Sequence, residues 1–236
     1  MAVTGIQRID STPVRITLKL SSLIINAFAD SSGGRVGTTK SGRKPSQRSR
    51  SAIVVVGQDE LERYFVFKAW AKHCTTDELI DEIFLTDDTW HPRVFGVDAT
   101  GTQTLFIDAL HRMCREKGRR DRYQDLIFEG DKDFRIETNL QPLQAAGRLF
   151  VCDTGMMDLK LEYESFPGSN FKDILDAIVG CLKLFPRQPK PGEVRREMEQ
   201  YTEHLQRVVT DPMERVRRAA AAFEQAQAKR REVRAG

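Results

Sequence analysis

The sequence predicts an α/β protein: a mixed sheet of three antiparallel strands followed by parallel strands, flanked by helices and continued by a C-terminal helical extension. Three observations predict it. Apolar runs rich in β-branched and aromatic residues lie close together before residue 71, two of them joined by a short polar turn. From residue 75 helix-period and strand-like segments alternate, as parallel strands with helical crossovers require. Beyond Pro186, Pro189 and Pro191 only helical patterning remains. The 236 residues, 40% hydrophobic and 30% charged, suffice for a buried core, and the apolar runs are too short to span a bilayer. The expected division is residues 1–20 as an N-terminal strand or extension, 21–185 as the main domain, and 186–236 as the helical extension.

Residues 13–20 alternate apolar and charged side chains, the period of a half-exposed strand. Leu23-Ile-Ile-Asn-Ala-Phe-Ala29 is almost continuously apolar, as in a strand covered on both faces, and stops at Asp30-Ser-Ser-Gly-Gly34. Ser51-Ala-Ile-Val-Val-Val-Gly57 and residues 63–70 read as two more strands, joined by a turn at 58–60 as a hairpin. Thr75-Thr-Asp-Glu78 opens an amphipathic helix through Leu79, Ile80, Ile83 and Phe84. A strand over 93–97 then ends abruptly at Asp98, and Leu105 to Met113 predict a helix that closes at Gly118. Leu126-Ile-Phe128 predicts a fifth strand, 134–146 a helix, 148–151 a last strand or edge, and 171–182 a strongly apolar helix. In the extension, Val194, Met198, Tyr201, Leu205 and Val208 have the spacing of a helix packed on a partner, and Asp211-Pro-Met-Glu214 opens another.

Cys74, Cys114, Cys152 and Cys181 are widely spaced, which argues against a disulfide framework or a thiolate zinc site, and no apolar leader follows Met1; a reducing cytoplasm is expected. A formal charge of +3 excludes little, but its distribution is uneven. Arg35, Lys40, Arg43, Lys44, Arg48 and Arg50 crowd one Gly/Ser/Thr-rich stretch without an acid among them; the segment from Arg187 onward holds the other excess, basic but mixed with glutamates; and Arg119, Arg120 and Arg122 form a second basic group placed to extend the first face. The stretch Gly37-Thr-Thr-Lys-Ser-Gly42-Arg-Lys44 mimics the spacing of a phosphate-binding loop. Arg43 holds the lysine position and Lys44-Pro45 replaces Lys-Ser/Thr, so no ATPase motif is present.

Asp30 and Asp98 each end an apolar strand, and Asp173 with Asp176 begins the last core helix. Taken singly, each is explained as a turn acid or a helix N-terminal carboxylate. Should the two strands be neighbours with the helix across them, the carboxylates converge, and mutual repulsion calls for a divalent cation. Clustered carboxylates, with only four scattered histidines, suit Mg²⁺ or Mn²⁺ rather than zinc. Two such ions, roughly 3.5–4 Å apart, activate water and stabilise the leaving oxygen of a phosphodiester. The order of elements matches the ribonuclease H-like fold, with the acids at its metal-binding positions.

A narrower resemblance rests on Ser51 to Gly57, Thr75-Thr-Asp-Glu-Leu-Ile80, Val94-Phe-Gly-Val-Asp98, Gly130-Asp-Lys-Asp-Phe-Arg135, Gly147-Arg-Leu-Phe150 and Phe166-Pro-Gly-Ser-Asn-Phe-Lys-Asp-Ile-Leu-Asp-Ala177. Over about residues 20–185 the chain resembles the C-terminal nuclease domain of the large terminase subunit of tailed bacteriophages. The resemblance implies a two-metal endonuclease, with Mg²⁺ or Mn²⁺ held by Asp30, Asp98 and Asp173 and assisted by Asp176. It implies action on double-stranded DNA during genome packaging in the host cytoplasm, and as partners a terminase ATPase domain or subunit, the small terminase or the portal. The chain departs from the family pattern at Lys172, where the family commonly has the first Asp of an Asp-Asp pair, and at Ser31, where it usually has Pro. The basic residues Arg35 to Arg50 would grip phosphates without reading sequence. Two alternatives stay open: a catalytically silent DNA-binding or assembly module, and a junction resolvase on the same fold.

Overall fold

The protein is described by a computed structural model over residues 2–3, 6–10, 16, 18–32, 50–100, 104–152 and 155–186. The chain divides into two units, Met1–Pro186 and Arg187–Gly236, and the second lies outside the described residues. Outside them also fall the helices expected after Pro186, all but Leu18–Lys19 of the strand expected over 13–20 apart from Ile16 and Leu20, and Arg35, Lys40, Arg43, Lys44 and Arg48. Among the described residues no helix is long and apolar enough to cross a membrane.

Short strands β1 (Ala2–Val3) and β3 (Leu18–Lys19) form a two-stranded antiparallel sheet. The seven-stranded main sheet is built from β2 (Ile6–Arg8), β4 (Ile24–Asp30), β5 (Ser51–Gln58), β6 (Tyr64–Lys72), β7 (Val94–Asp98), β8 (Tyr123–Leu126) and β9 (Leu149–Cys152), in the order β2-β9-β6-β5-β4-β7-β8. β5 runs antiparallel to both of its neighbours, β4 and β6, while β7 runs parallel to β4 and β8 parallel to β7. This is the mixed α/β architecture that the sequence predicts, with the ribonuclease H-like strand order at its centre.

The central position of β5 follows from its composition. All eight of its residues are buried, and a run of β-branched side chains is stable only where both faces are covered. Alternation divides them between two cores. Ile53 and Val55 pack with α1 (Thr76–Trp90) and α2 (Thr104–Glu116) through Leu79, Ile83 and Leu110. Ala52, Val54 and Val56 face α3 (Lys132–Ala145), α4 (Met157–Glu164) and α5 (Asp173–Leu182) through Ile136, Leu159 and Ile178. The expected helix start at Thr75 is realised as a capping box: Thr75 accepts from the Glu78 N–H, and Glu78 accepts from the Thr75 N–H.

Several boundaries differ from expectation. The fifth strand is Tyr123–Leu126 rather than 126–128, because the parallel register pairs Phe95 with Tyr123 and Asp98 with Leu126. Tyr123 packs edge-on against Phe95, Ile127 is exposed, and Phe128 turns into the other core against Phe28. α4 and β2 carry little periodic signal, and the sequence predicts neither. β2 is ordered by antiparallel pairing with β9.

Candidate active site

The parallel pairing of β4 with β7 brings Asp30 and Asp98 to the same edge of the sheet, one residue beyond the paired Ala29 and Val97. The antiparallel β5 begins at that edge too, with Ala52 opposite Asp30, so Arg50 also stands there. α5 presses its apolar face on β4 and starts at this edge. Gly180 allows the approach: a Cβ at that position would lie 2.6–2.7 Å from the ring of Phe28. The first turn of α5 thereby holds Asp173 and Asp176 over the ends of the two strands. Asp30, Asp98, Asp173 and Asp176 are 8%, 7%, 4% and 6% exposed.

Three of the acids, Asp30, Asp173 and Asp176, meet around a group that the sequence does not anticipate. The ammonium of Lys132, at the first position of α3, lies 3.0 Å from Asp173 Oδ1, 3.4 Å from Asp176 Oδ2 and 3.9 Å from Asp30 Oδ2. Arg135, one turn on, donates from Nε and Nη2 to both oxygens of Asp176 at 2.8–2.9 Å, and its guanidinium lies on the ring of Phe128. The backbone N–H of Arg50 donates to Asp173 Oδ2 at 2.9 Å, and that of Thr100 to Asp98 Oδ1 at 2.8 Å. Asp98 stands within electrostatic range of Asp30.

Charge and burial set the proton affinities. Burial, above all, pushes the Asp30 carboxyl up to about 8; Asp176, Asp98 and Asp173 add to the rise while Lys132 opposes it. Burial works against the Lys132 ammonium, but Asp30, Asp173 and Asp176 outweigh it, so Lys132 is held above the ordinary lysine value and stays charged. Burial together with Arg135 lowers Lys183, whose ammonium sits over Phe128.

Behind the acids stands a second charged layer. α5 has no side-chain cap of its own, and the buried Glu162 of α4 supplies one, accepting from the N–H groups of Ile174 and Leu175 at 2.9 and 3.2 Å. The same carboxylate pairs with the Arg50 guanidinium, which also lies on the ring of Phe171. Burial raises the Glu162 pKa against these hydrogen bonds and the charge of Arg50.

Arg50 therefore differs from the expectation of a DNA-gripping cation. Its guanidinium is paired internally with Glu162 and Asp158, and its side chain is 13% exposed. Two cations of the second basic group are engaged as well, since Arg119 binds Asp87 and Asp88, and Arg122 binds Asp87. Lys172 does not enter the carboxylate cluster but reaches across to Asp133 of α3. Among the described residues no three His, Cys, Asp or Glu form a set that could hold a metal ion, and Lys132 and Arg135 engage Asp30, Asp173 and Asp176 in ion pairs.

Sequence reasoning missed Lys132, Arg135 and Glu162 as members of this site. A signal for the first existed: a lysine at the first position of a helix faces the positive end of the macrodipole, a placement that needs a nearby anion. Glu162 lies on a helix without a legible pattern, and nothing in its neighbourhood marks it.

No protein-family model matches the chain, and no curated protein does. Among solved structures the yeast mitochondrial Holliday junction resolvase Ydc2 is similar at 10% sequence identity and a TM-score of 0.36, over 56% of this chain and 72% of that one.

Proposed function

We propose that the chain is a metal-dependent endonuclease that hydrolyses phosphodiester bonds of double-stranded DNA, with Asp30, Asp98, Asp173 and Asp176 as the metal-holding carboxylates. One observation carries the reading: four buried aspartates from two strand ends and a helix start share one edge of the sheet, where burial first and the neighbouring carboxylates after it push Asp30 up to about 8. The donor chemistry fits a hard divalent cation such as Mg²⁺ or Mn²⁺, being all oxygen and free of thiol or imidazole. Bound there, the ion would supply an activated water and neutralise charge on the scissile phosphate.

The chain's own residues orient the acids. The Arg50 N–H and Lys132 hold the two oxygens of Asp173, Arg135 clamps Asp176, and the Thr100 N–H fixes one oxygen of Asp98. Asp30 and Arg50 are both anchored at this edge, and the intervening stretch carries Arg35, Lys40, Arg43, Lys44 and Arg48, which supports a role for those cations in contacting the phosphate backbone beside the acids. The sequence resemblance supports the finer reading, a nuclease module of phage packaging that works with a terminase ATPase, small terminase or portal in the host cytoplasm.

The test is plasmid nicking in Mn²⁺. The wild type converts supercoiled DNA to nicked circles, and Asp98→Asn does not, while its circular dichroism and melting stay those of the wild type. Undiminished cutting by Asp98→Asn overturns the assignment. The ion pairs of Lys132 and Arg135 favour one second reading, a silent DNA-binding module whose acids are neutralised from within. DNA binding indifferent to Mn²⁺, with no nicking, would decide for it.

A further inference from the structure

A cavity of about 430 Å³ opens between α3, α4 and the start of α5, and none of the four aspartates lines it. Its floor is apolar, built from the buried side chains of Ile136 and Leu140 of α3 and Leu175 of α5. Tyr163 of α4 and the Phe166-Pro167 pair beyond that helix continue the lining. Glu137, Gln141, Gln144 and Glu164 complete it as exposed residues at the mouth. An apolar floor with a few polar groups around it is the makeup of a binding site.

Two features narrow what it binds. The first is charge. Glu137 and Glu164 form no ion pair with another described residue. Lys172, which lies over the ring of Phe166, is paired with Asp133, and Arg135 is paired with Asp176, so neither neutralises the mouth. Two uncompensated carboxylates beside two amides favour a cationic partner. The second is apolar surface that continues beyond the cavity. Phe134 precedes Glu137 and Gln141 by three and seven residues and therefore shares their face of α3, while Leu161 and Met157 precede Glu164 by three and seven on α4. Phe134, Leu161 and Met157 are 67%, 55% and 76% exposed. A ligand confined to the cavity leaves these three in water, whereas one long enough to lie along both helices covers them.

We propose that this groove docks an amphipathic helix of a partner protein. Apolar side chains at i, i+3, i+4 and i+7 of that helix sit on the cavity floor and against Phe134 and Leu161, and lysines or arginines at its edges face Glu137 and Glu164. The inference goes beyond the proposed hydrolysis and stands whether or not the aspartates hold a metal.

The experiment is fluorescence anisotropy of two peptides of about 18 residues with the full chain, in the absence of DNA. One peptide has leucine at i, i+3, i+4 and i+7 and lysine elsewhere; the other has serine in place of each leucine. The wild type is expected to bind the Leu/Lys peptide at least about tenfold more tightly than the Ser/Lys peptide. Charge reversal in Glu137→Lys/Glu164→Lys should weaken the Leu/Lys peptide by about tenfold, and Phe134→Ser by about fivefold or more. Equal affinity for the two peptides overturns the proposal, as does undiminished binding by the charge-reversed variant. Undiminished binding by Phe134→Ser also overturns it, because the ligand then stays within the cavity. So does self-association of the free chain that Phe134→Ser abolishes, since the groove is then a contact between copies. All three substituted side chains are exposed, and circular dichroism checks the fold; should the double variant not fold, Gln141→Lys places a repelling charge at the same mouth and decides in its stead.

Discussion

Replacing Asp30 with asparagine removes an ionisable group whose charged form the fold strongly disfavours. Its carboxyl is moved from 3.8 to about 8 by burial first and then by the neighbouring aspartates, with Lys132 opposing. A carboxyl with a raised native pKa binds its proton more tightly in the folded protein than in the unfolded chain. It therefore stabilises the fold fully below about pH 3.8, and that contribution is lost as the pH rises to about 8. The interval is about four pK units at about 1.4 kcal/mol each, a ceiling on the order of 6 kcal/mol, of which on the order of 4 kcal/mol is gone by pH 7. Asparagine has the same shape and no such dependence. In urea unfolding with EDTA present, the stability of the wild type relative to Asp30→Asn is expected to fall by on the order of 3 kcal/mol between about pH 5 and about pH 7.5. Added Mn²⁺ should then stabilise the wild type alone, since a ligand raises stability only where it binds the native state. A difference between the two proteins that stays flat across this range would refute the electrostatic account of the site.

Two further predictions concern the scaffold beneath the acids. Glu162→Ala leaves the Arg50 guanidinium and the N–H groups of Ile174 and Leu175 without their buried acceptor; it should cost about 3–5 kcal/mol in urea unfolding and weaken Mn²⁺ binding, and a midpoint like that of the wild type would contradict this. Gly180→Ala drives a methyl group to 2.6–2.7 Å from Phe28 and should lower stability by about 1–3 kcal/mol although alanine is the better helix former, a loss visible as a lower Tm.

The sheet was legible because its strands announce themselves chemically. The run 51–57 is too continuously apolar for a half-exposed strand, and it became the centre; Asp30 and Asp98 end apolar runs abruptly, and they mark one edge. What stayed hidden depends on pairing at a distance. The apolar trio 126–128 looks like a strand, but the partner's register selects Tyr123–Leu126, and a local pattern carries no register. Glu162 caps a helix that begins 11 residues after it, and Arg50 pairs with a residue 112 positions away. Such contacts exist only after the chain has folded.

The starts of α3 and α5 show why the site belongs to the tertiary structure and not to either helix. α3 begins Lys132-Asp133-Phe134-Arg135, and α5 is entered through Lys172-Asp173 and continues to Asp176. Lysine at such a position repels the helix dipole, and each helix alone would be weakened by it. Across the interface the disadvantage reverses: Lys132 meets Asp173, Lys172 meets Asp133, and Arg135 meets Asp176. Each helix thus supplies the counter-charges that the other lacks. α3 thereby adds a charged anchor to the packing that already seats α5 on β4, so a change that loosens α3 removes the ion-pair partners of Asp173 and Asp176 even with all four aspartates intact.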